Sequence, residues 1–155
     1  MTDKPQTDLL AIATKMCGAP VSAITPARRG GNNRIYRIDA DQGTFALKAY
    51  PPNGADGATR LGAEFAALTF FNSIGLHCIP KAYARAPEDY HGLYEWIEGV
   101  AIDVPDDLDI DAAGDFIGRL MAISANPDAA KLGLAREACL SASELARQVE
   151  DRLMR

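Results

Sequence analysis

The sequence predicts an α+β domain in which a five-stranded antiparallel sheet carries one packed helix and is followed by a helical extension. Two observations in the first hundred residues predict this class. Short apolar runs are separated by turn-forming residues, which is typical of strands. One segment, 58–72, instead repeats its apolar residues at helical spacing. Beyond residue 100 helical spacing prevails, which predicts the extension.

The composition favours a single globular unit that does not bind nucleic acid. The chain has 155 residues, 48% of them hydrophobic, which is enough for one core. Its net charge is −5, and a run of five aspartates accounts for that charge: Asp103, Asp106, Asp107, Asp109 and Asp111. A chain whose other charges balance lacks the basic surface that nucleic acid requires. We also expect no membrane segment and a cytoplasmic location, because no apolar run reaches membrane-spanning length and the three cysteines have no metal-binding spacing.

The first elements are a helix and three strands. A helix is predicted over 7–16, where we expect it to pack against a sheet edge, and strands are predicted over 21–27, 33–39 and 44–50. Asp41, Gln42 and Gly43 form a hairpin turn between the last two strands. Arg34 and Arg37 are interpreted as the solvent-facing side of their strand.

Two charged residues lie where the pattern predicts burial. Lys48 stands between Leu47 and Ala49 in an almost wholly apolar strand, so it needs a carboxylate or an anionic ligand nearby. Glu64 projects from the predicted helix 58–72 within the arc of its apolar residues. A helix packed on this strand would bring the two charges together, and each would compensate the desolvation of the other.

The second half begins with two more strands, over 79–84 and 92–97, joined by a turn at 87–90. An acidic linker follows, then helices over 110–124 and 142–155, the second beginning at a capping box of Ser141 and Glu144. Their apolar stripes are predicted to mediate a homodimer under two-fold symmetry: Phe116, Ile117, Leu120 and Met121 in one helix, Leu145, Val149 and Leu153 in the other.

The order of these features resembles the nucleotide-binding lobe of the aminoglycoside phosphotransferase and choline kinase family, which has a protein-kinase-like fold. The resemblance rests on the turn GGNNRIYRI, the strand lysine and the helix glutamate. It implies that Lys48 contacts the α- and β-phosphates of ATP and that Glu64 orients it. The turn supplies four further nucleotide-binding residues, whose backbone N–H groups can form an anion-binding concavity: Gly30, Gly31, Asn32 and Asn33.

A second resemblance lies in the segment GLYEWIEG, which is similar to the inter-lobe hinge of the same family. It implies that Tyr94 is the gatekeeper at the back of the pocket. The carbonyl of Glu95 would accept from the adenine amino group, and the N–H of Ile97 would donate to the ring. The predicted division is a nucleotide-binding lobe over 1–99 and, over 100–155, an acidic linker with the first helices of an incomplete second lobe.

The family's catalytic loop is absent from the sequence. That loop has a His-Gly-Asp-type motif, followed by an asparagine and an aspartate that hold magnesium; here His91 and Gly92 are followed by Leu93 and precede the hinge. The resemblance therefore implies a truncated chain: the nucleotide-binding portion of a phosphotransferase that uses ATP and magnesium and acts on a small-molecule hydroxyl, with the magnesium ligands and the acceptor site in the missing lobe. The alternatives are a non-catalytic nucleotide-binding or protein-interaction module, and a structural domain in which Lys48 and Glu64 merely neutralise each other.

Overall fold

The computed structural model of this protein describes residues 4–27, 34–51, 55–100 and 102–132, and residues 141, 143, 146, 147, 149 and 150 near the end. Its strands form one antiparallel sheet in the order β1-β2-β3-β5-β4, which confirms the predicted α+β class. The elements are α1 Lys4–Cys17, β1 Val21–Pro26, β2 Arg34–Ala40, β3 Gly43–Ala49, α2 Ala55–Ser73, β4 Ala82–Ala86, β5 His91–Glu95, α3 Asp107–Ile123 and a 3₁₀ helix Pro127–Leu132.

One face of the sheet is covered by α1. Ala13 of this helix is fully buried, and it packs in one cluster with Ile38, Leu47 and Leu93 from β2, β3 and β5. The prediction that this helix packs at a sheet edge is therefore wrong. The helix instead crosses the face, since it contacts the two edge strands β1 and β4 while Ala13 belongs to the central cluster.

The opposite face carries α2. Neighbouring residues of a strand point to opposite faces, so Lys48 and Tyr94 project away from the face that Leu47 and Leu93 present to α1. On that second face, Leu61 of α2 is fully buried, and the ring of Phe65 lies 6.4 Å from the ring of Tyr94. The sheet thus holds a helix on each side, and α2 is the packed helix that the sequence predicted.

Most elements begin one to three residues away from the predicted positions, and the structure explains two of these shifts. β4 starts at Ala82 rather than at 79, since Pro80 has no N–H for the sheet and its carbonyl instead accepts from Asn72 Nδ2 at 3.1 Å. α3 starts at Asp107 rather than at 110, because Asp106 caps it: the Asp106 carboxylate accepts from the N–H of Asp109 at 2.9 Å, and the Asp109 carboxylate accepts from the N–H of Asp106 at 3.0 Å.

After β5 the chain runs without helix or strand through residues 96–100 before α3 begins. No residue of α3 is buried, and the 3₁₀ helix lies against α2. The predicted capping box of the last helix includes Glu144, which lies outside the described residues. Within the described ranges, no helix is both long and apolar enough to cross a membrane.

Candidate functional site

The centre of the candidate site is an ion pair between β3 and α2. Lys48 Nζ donates to Glu64 Oε1 at 2.7 Å and to Oε2 at 2.6 Å, so the ammonium group faces both oxygens of the carboxylate. The Lys48 side chain is 18% exposed and that of Glu64 is 36% exposed. The prediction that these two charges meet on the α2 face is confirmed.

The hairpin between β2 and β3 sets the position of Lys48. Asp41 and Gln42 form a two-residue turn, which pairs Ala40 with Gly43 and fixes the register of the rest of the hairpin. In that register Lys48 lies opposite Ile35 on β2 and opposite Gly92 on β5. A shift of one residue would send Lys48 to the α1 face and Leu47 to the α2 face, so the turn length and the apolar pattern support the same arrangement.

Two buried tyrosines lie beside the ion pair. The hydroxyl oxygens of Tyr50 and Tyr94 are 2.8 Å apart and share one hydrogen bond, while Lys48 Nζ lies 5.0 Å from the centre of the Tyr50 ring. Burial raises the pKa of Tyr94 to about 12, and burial also raises the pKa of Tyr50 above its ordinary value. Both hydroxyls therefore stay neutral near pH 7, and the two rings form an uncharged wall behind the ammonium group.

Gly92 leaves room for this wall. A Cβ atom at this position would lie 2.5 Å from Tyr94 Oη and 2.6 Å from Tyr94 Cε2. The Tyr94 ring consequently folds back over Gly92, along its own strand and toward Tyr50. Because Gly92 is also the residue paired with Lys48, the Tyr94 ring fills the place of the absent side chain beside Lys48.

A second charged group lies on the same face, nearer the end of β5. Arg37 is paired with Ala46, which is in turn paired with Tyr94, so Arg37 shares the Lys48 face. Its Nε donates to Asp39 Oδ1 at 3.1 Å, and its Nη1 donates to Glu98 Oε1 at 3.0 Å. The hydrogen bond from Arg37 holds the pKa of Asp39 below its usual range, and a further hydrogen bond from Thr44 acts in the same direction.

The interpretation that Arg34 and Arg37 share one solvent-facing side of the strand is therefore wrong. These two positions are three residues apart, so they project from opposite faces of β2. Arg34 is exposed, whereas the Arg37 side chain is 37% exposed and makes two ion pairs. The alternation of the strand, counted from Ile35 through Arg37 to Asp39, carried the signal that separates the two arginines.

A family comparison identifies the chain. The family model described as the phosphotransferase enzyme family matches residues 23–155, which is most of the sequence. The chain belongs to the phosphotransferase enzyme family. This confirms the resemblance on which the sequence interpretation rests.

Comparison with solved structures and curated proteins adds less to the family assignment. A crystal structure from Thermobifida fusca YX-ER1, provisionally named a fructosamine-3-kinase, is similar at 22% identity and a TM-score of 0.49. The similarity covers 61% of this chain and 32% of that one, so the matched part spans about a third of the solved protein. No curated protein matches the sequence.

The predicted hinge residues lie at the end of β5 and just after it. Tyr94 lies at the back of the Lys48 face, and Glu95 ends β5 with its N–H donating to the carbonyl of Lys81 at 2.8 Å. Ile97 follows in the segment without regular structure, and its side chain is 54% exposed. Their contacts with adenine stay predictions. The other four predicted residues lie outside the described residues: Gly30, Gly31, Asn32 and Asn33.

Phosphotransferases in general use a metal ion together with ATP. Among the residues that the structure describes, no group of three or more His, Cys, Asp or Glu side chains is arranged to hold a metal. A cleft of about 500 Å³ does exist elsewhere, and it shares no residue with the Lys48 face; it is lined by Cys78, Ala112, Ala113, Asp115, Phe116 and Arg119.

Sequence reasoning missed Tyr50 and Glu98 as well as Arg37. Tyr50 stands two residues after Lys48, so strand alternation alone places it on the same face. Glu98 carried no such signal, because it follows the last strand, where the alternation no longer applies.

Proposed function

We propose that this chain is the nucleotide-binding part of an ATP-dependent phosphotransferase that acts on a small-molecule hydroxyl. The observation that carries the proposal is the Lys48 and Glu64 ion pair, formed between a central strand and α2 in a member of the phosphotransferase enzyme family. An ammonium group held in one position by a carboxylate is suited to bind the phosphates of a nucleotide at a defined distance from the sheet.

The donors of Lys48 fit this role. An ammonium group has three N–H donors, and Glu64 accepts from Nζ with both of its oxygens. One donor is left for a phosphate oxygen. The Tyr50 ring on the other side restricts the lysine chain, and a cation close to an aromatic face is stabilised by the ring electrons.

The predicted hinge supports the same assignment for the base. Tyr94 lies on the Lys48 face, Glu95 is the last paired residue of β5, and Ile97 follows in the segment 96–100, which belongs to no strand. We propose that the carbonyl of Glu95 and the N–H of Ile97 bind adenine, and that the turn 30–33 covers the phosphates. Magnesium, when bound, would neutralise the phosphates.

The exposed side of α3 favours a second candidate, a nucleotide-binding module that recruits a partner and does not catalyse. Leu108 is 76% exposed and Met121 is 71% exposed in a helix with no buried residue. The two candidates differ in one fact about the gene: a reading frame that continues past residue 155 into a His-Gly-Asp-type loop favours the enzyme, and a stop codon there favours the module.

Ligand-detected NMR titrations with ATP and with adenosine test the proposal. We expect ATP to bind no more tightly than roughly millimolar, about −4 kcal/mol, because the sequence lacks the family's magnesium-binding motif and most of the phosphate charge stays uncompensated. Lys48→Met removes a charge-assisted hydrogen bond to phosphate and should weaken ATP binding about tenfold without changing adenosine binding.

The matched control is Lys15→Met. Lys15 belongs to α1, on the other side of the sheet, and its side chain is 72% exposed. This variant should bind ATP like the wild-type chain. Equal loss of ATP binding in both variants would contradict the assignment of Lys48, and a wild-type chain that binds no ATP at millimolar concentrations would refute the proposed function.

A further inference from the structure

We propose that Arg37 is a positioning residue for the nucleotide base: it holds the segment after β5 in place against the sheet, so that the backbone of residues 95–97 faces adenine. This inference rests on the proposed function and extends it to a residue outside the predicted site. The group formed by Arg37, Trp96 and Glu98 is called the hinge clamp below.

The hinge clamp joins two parts of the chain that are 61 residues apart. The Arg37 guanidinium lies 5.4 Å from the centre of the Trp96 ring, and its Nη1 donates to Glu98 Oε1 at 3.0 Å. Trp96 Nε1 donates to the same Glu98 oxygen at 2.9 Å. Each member thus contacts the other two, and the triangle fixes the Trp96 ring as well as the Glu98 carboxylate.

The Nε side of the Arg37 guanidinium is hydrogen-bonded to the sheet. Its Nε donates to Asp39 Oδ1, which also accepts from Thr44 Oγ1 at 3.0 Å, and Asp39 and Thr44 are paired across β2 and β3. The guanidinium therefore has one side bound to the rigid hairpin and the other bound to the segment after β5. A planar group with five donors suits such a bridge, whereas lysine offers no fork and stacks poorly.

The clamp acts where the backbone pairing ends. The last pair between β3 and β5 joins Phe45 to Glu95, and residues 96–100 belong to no strand. The side-chain contacts of Trp96 and Glu98 therefore hold this segment against the sheet, whereas β5 is held by backbone hydrogen bonds. Since Arg37 lies in one row with Ala46 and Tyr94, the clamped segment borders the face that we assign to the base.

The charges of the clamp exclude the simplest other role, a phosphate site. Arg37 is bound to two carboxylates, so Arg37, Asp39 and Glu98 together carry one net negative charge and would repel a phosphate. The Glu98 side chain is 74% exposed, and an exposed ion pair contributes little to global stability. Local positioning is the role that its geometry favours.

The experiment uses the full chain and its single tryptophan. Trp96 is the only tryptophan in the sequence, so tryptophan emission, excited selectively over that of the five tyrosines, reports on the clamp. Arg37→Ala should shift the Trp96 emission and weaken binding of adenosine and of ATP by the same factor, about three- to tenfold, because the lost contacts order the segment that meets the base. Arg37→Lys should restore only part of this affinity.

The matched control is Arg34→Ala, an exposed arginine of the same strand on its other face. It should leave the Trp96 emission and both affinities unchanged. A melting temperature of Arg37→Ala close to that of the control shows that the variant is folded. If Arg37→Ala binds adenosine as tightly as the wild-type chain does, this inference is overturned and the proposed function still stands. If the wild-type chain binds neither adenosine nor ATP, the proposed function and this inference are both overturned.

Discussion

Gly92 is the position at which a single methyl group should disrupt the candidate site. In Gly92→Ala the new Cβ would lie 2.5 Å from Tyr94 Oη and 2.7 Å from Tyr94 Cζ, and both distances are shorter than those that Cβ atoms make in folded proteins. Tyr94 is 4% exposed, and its hydroxyl is hydrogen-bonded to the hydroxyl of Tyr50, so a movement of the buried ring would break this hydrogen bond. The substitution should therefore force the two tyrosines apart.

The expected cost follows from two terms. Overpacking a buried site costs about 1–3 kcal/mol, and separating the two buried hydroxyls of Tyr50 and Tyr94 costs about 1–3 kcal/mol more if neither finds a new partner. We expect a loss of about 2–6 kcal/mol in the free energy of unfolding, measured by denaturant titration. The sign is informative, because replacing a strand glycine by alanine ordinarily stabilises by about 0.5–1 kcal/mol.

Two further variants make this test specific. Gly118→Ala changes a glycine of α3 whose Cβ would meet no atom within 4 Å, and it should stabilise the chain slightly. In a Tyr94→Ala background the clash is absent, so Gly92→Ala should then cost less than about 0.5 kcal/mol. The packing that we describe would be refuted if Gly92→Ala lowered the free energy of unfolding of the wild-type chain by less than that value. An equal loss in the wild-type and Tyr94→Ala backgrounds would refute it as well.

Three other predictions concern the ion pair, the cysteines and α3. Glu64→Gln should lower the free energy of unfolding by about 2 kcal/mol, a value between the costs of breaking an exposed and a buried ion pair. The double variant with Lys48→Met should recover part of this loss, and strictly additive losses of the two single variants would argue against the ion pair. Cys78 is exposed, whereas partial burial raises the pKa of Cys17, so a thiol reagent should modify Cys78 before Cys17, as mass spectrometry of the peptides can show; faster modification of Cys17 would contradict its partial burial. We propose that α3 mediates homodimerisation; sedimentation should show a concentration-dependent dimer that Met121→Glu abolishes, and a strict monomer would disprove it.

The sequence predicted the sheet and the ion pair because local patterns determine both. Strand alternation and the length of the hairpin turn set the face of Lys48, and helical spacing set the face of Glu64, so two independent periods placed both charges in one layer. Their meeting then required only that α2 pack on β3.

The sequence did not predict features that depend on contacts distant along the chain. The position of α1 on the sheet depends on the small Ala13 side chain meeting Leu47 and Leu93, and no local pattern states which face a helix will cover. The hinge clamp depends on Glu98, whose partner Arg37 comes from β2. A charge in a segment without periodicity gives no direction, so its partner emerges only from the folded chain.

Covalent labelling can show whether Lys48 lies at the phosphates of a bound nucleotide, as we propose. In an acyl phosphate of ATP, the amine of a lysine next to the phosphates attacks the acyl carbonyl, an amide forms and ATP leaves. Mass spectrometry of the digested chain should find Lys48 as the main acylated lysine, with labelling suppressed by excess ATP. Labelling spread over exposed lysines such as Lys15 and Lys131, with no protection by ATP, would contradict the claim.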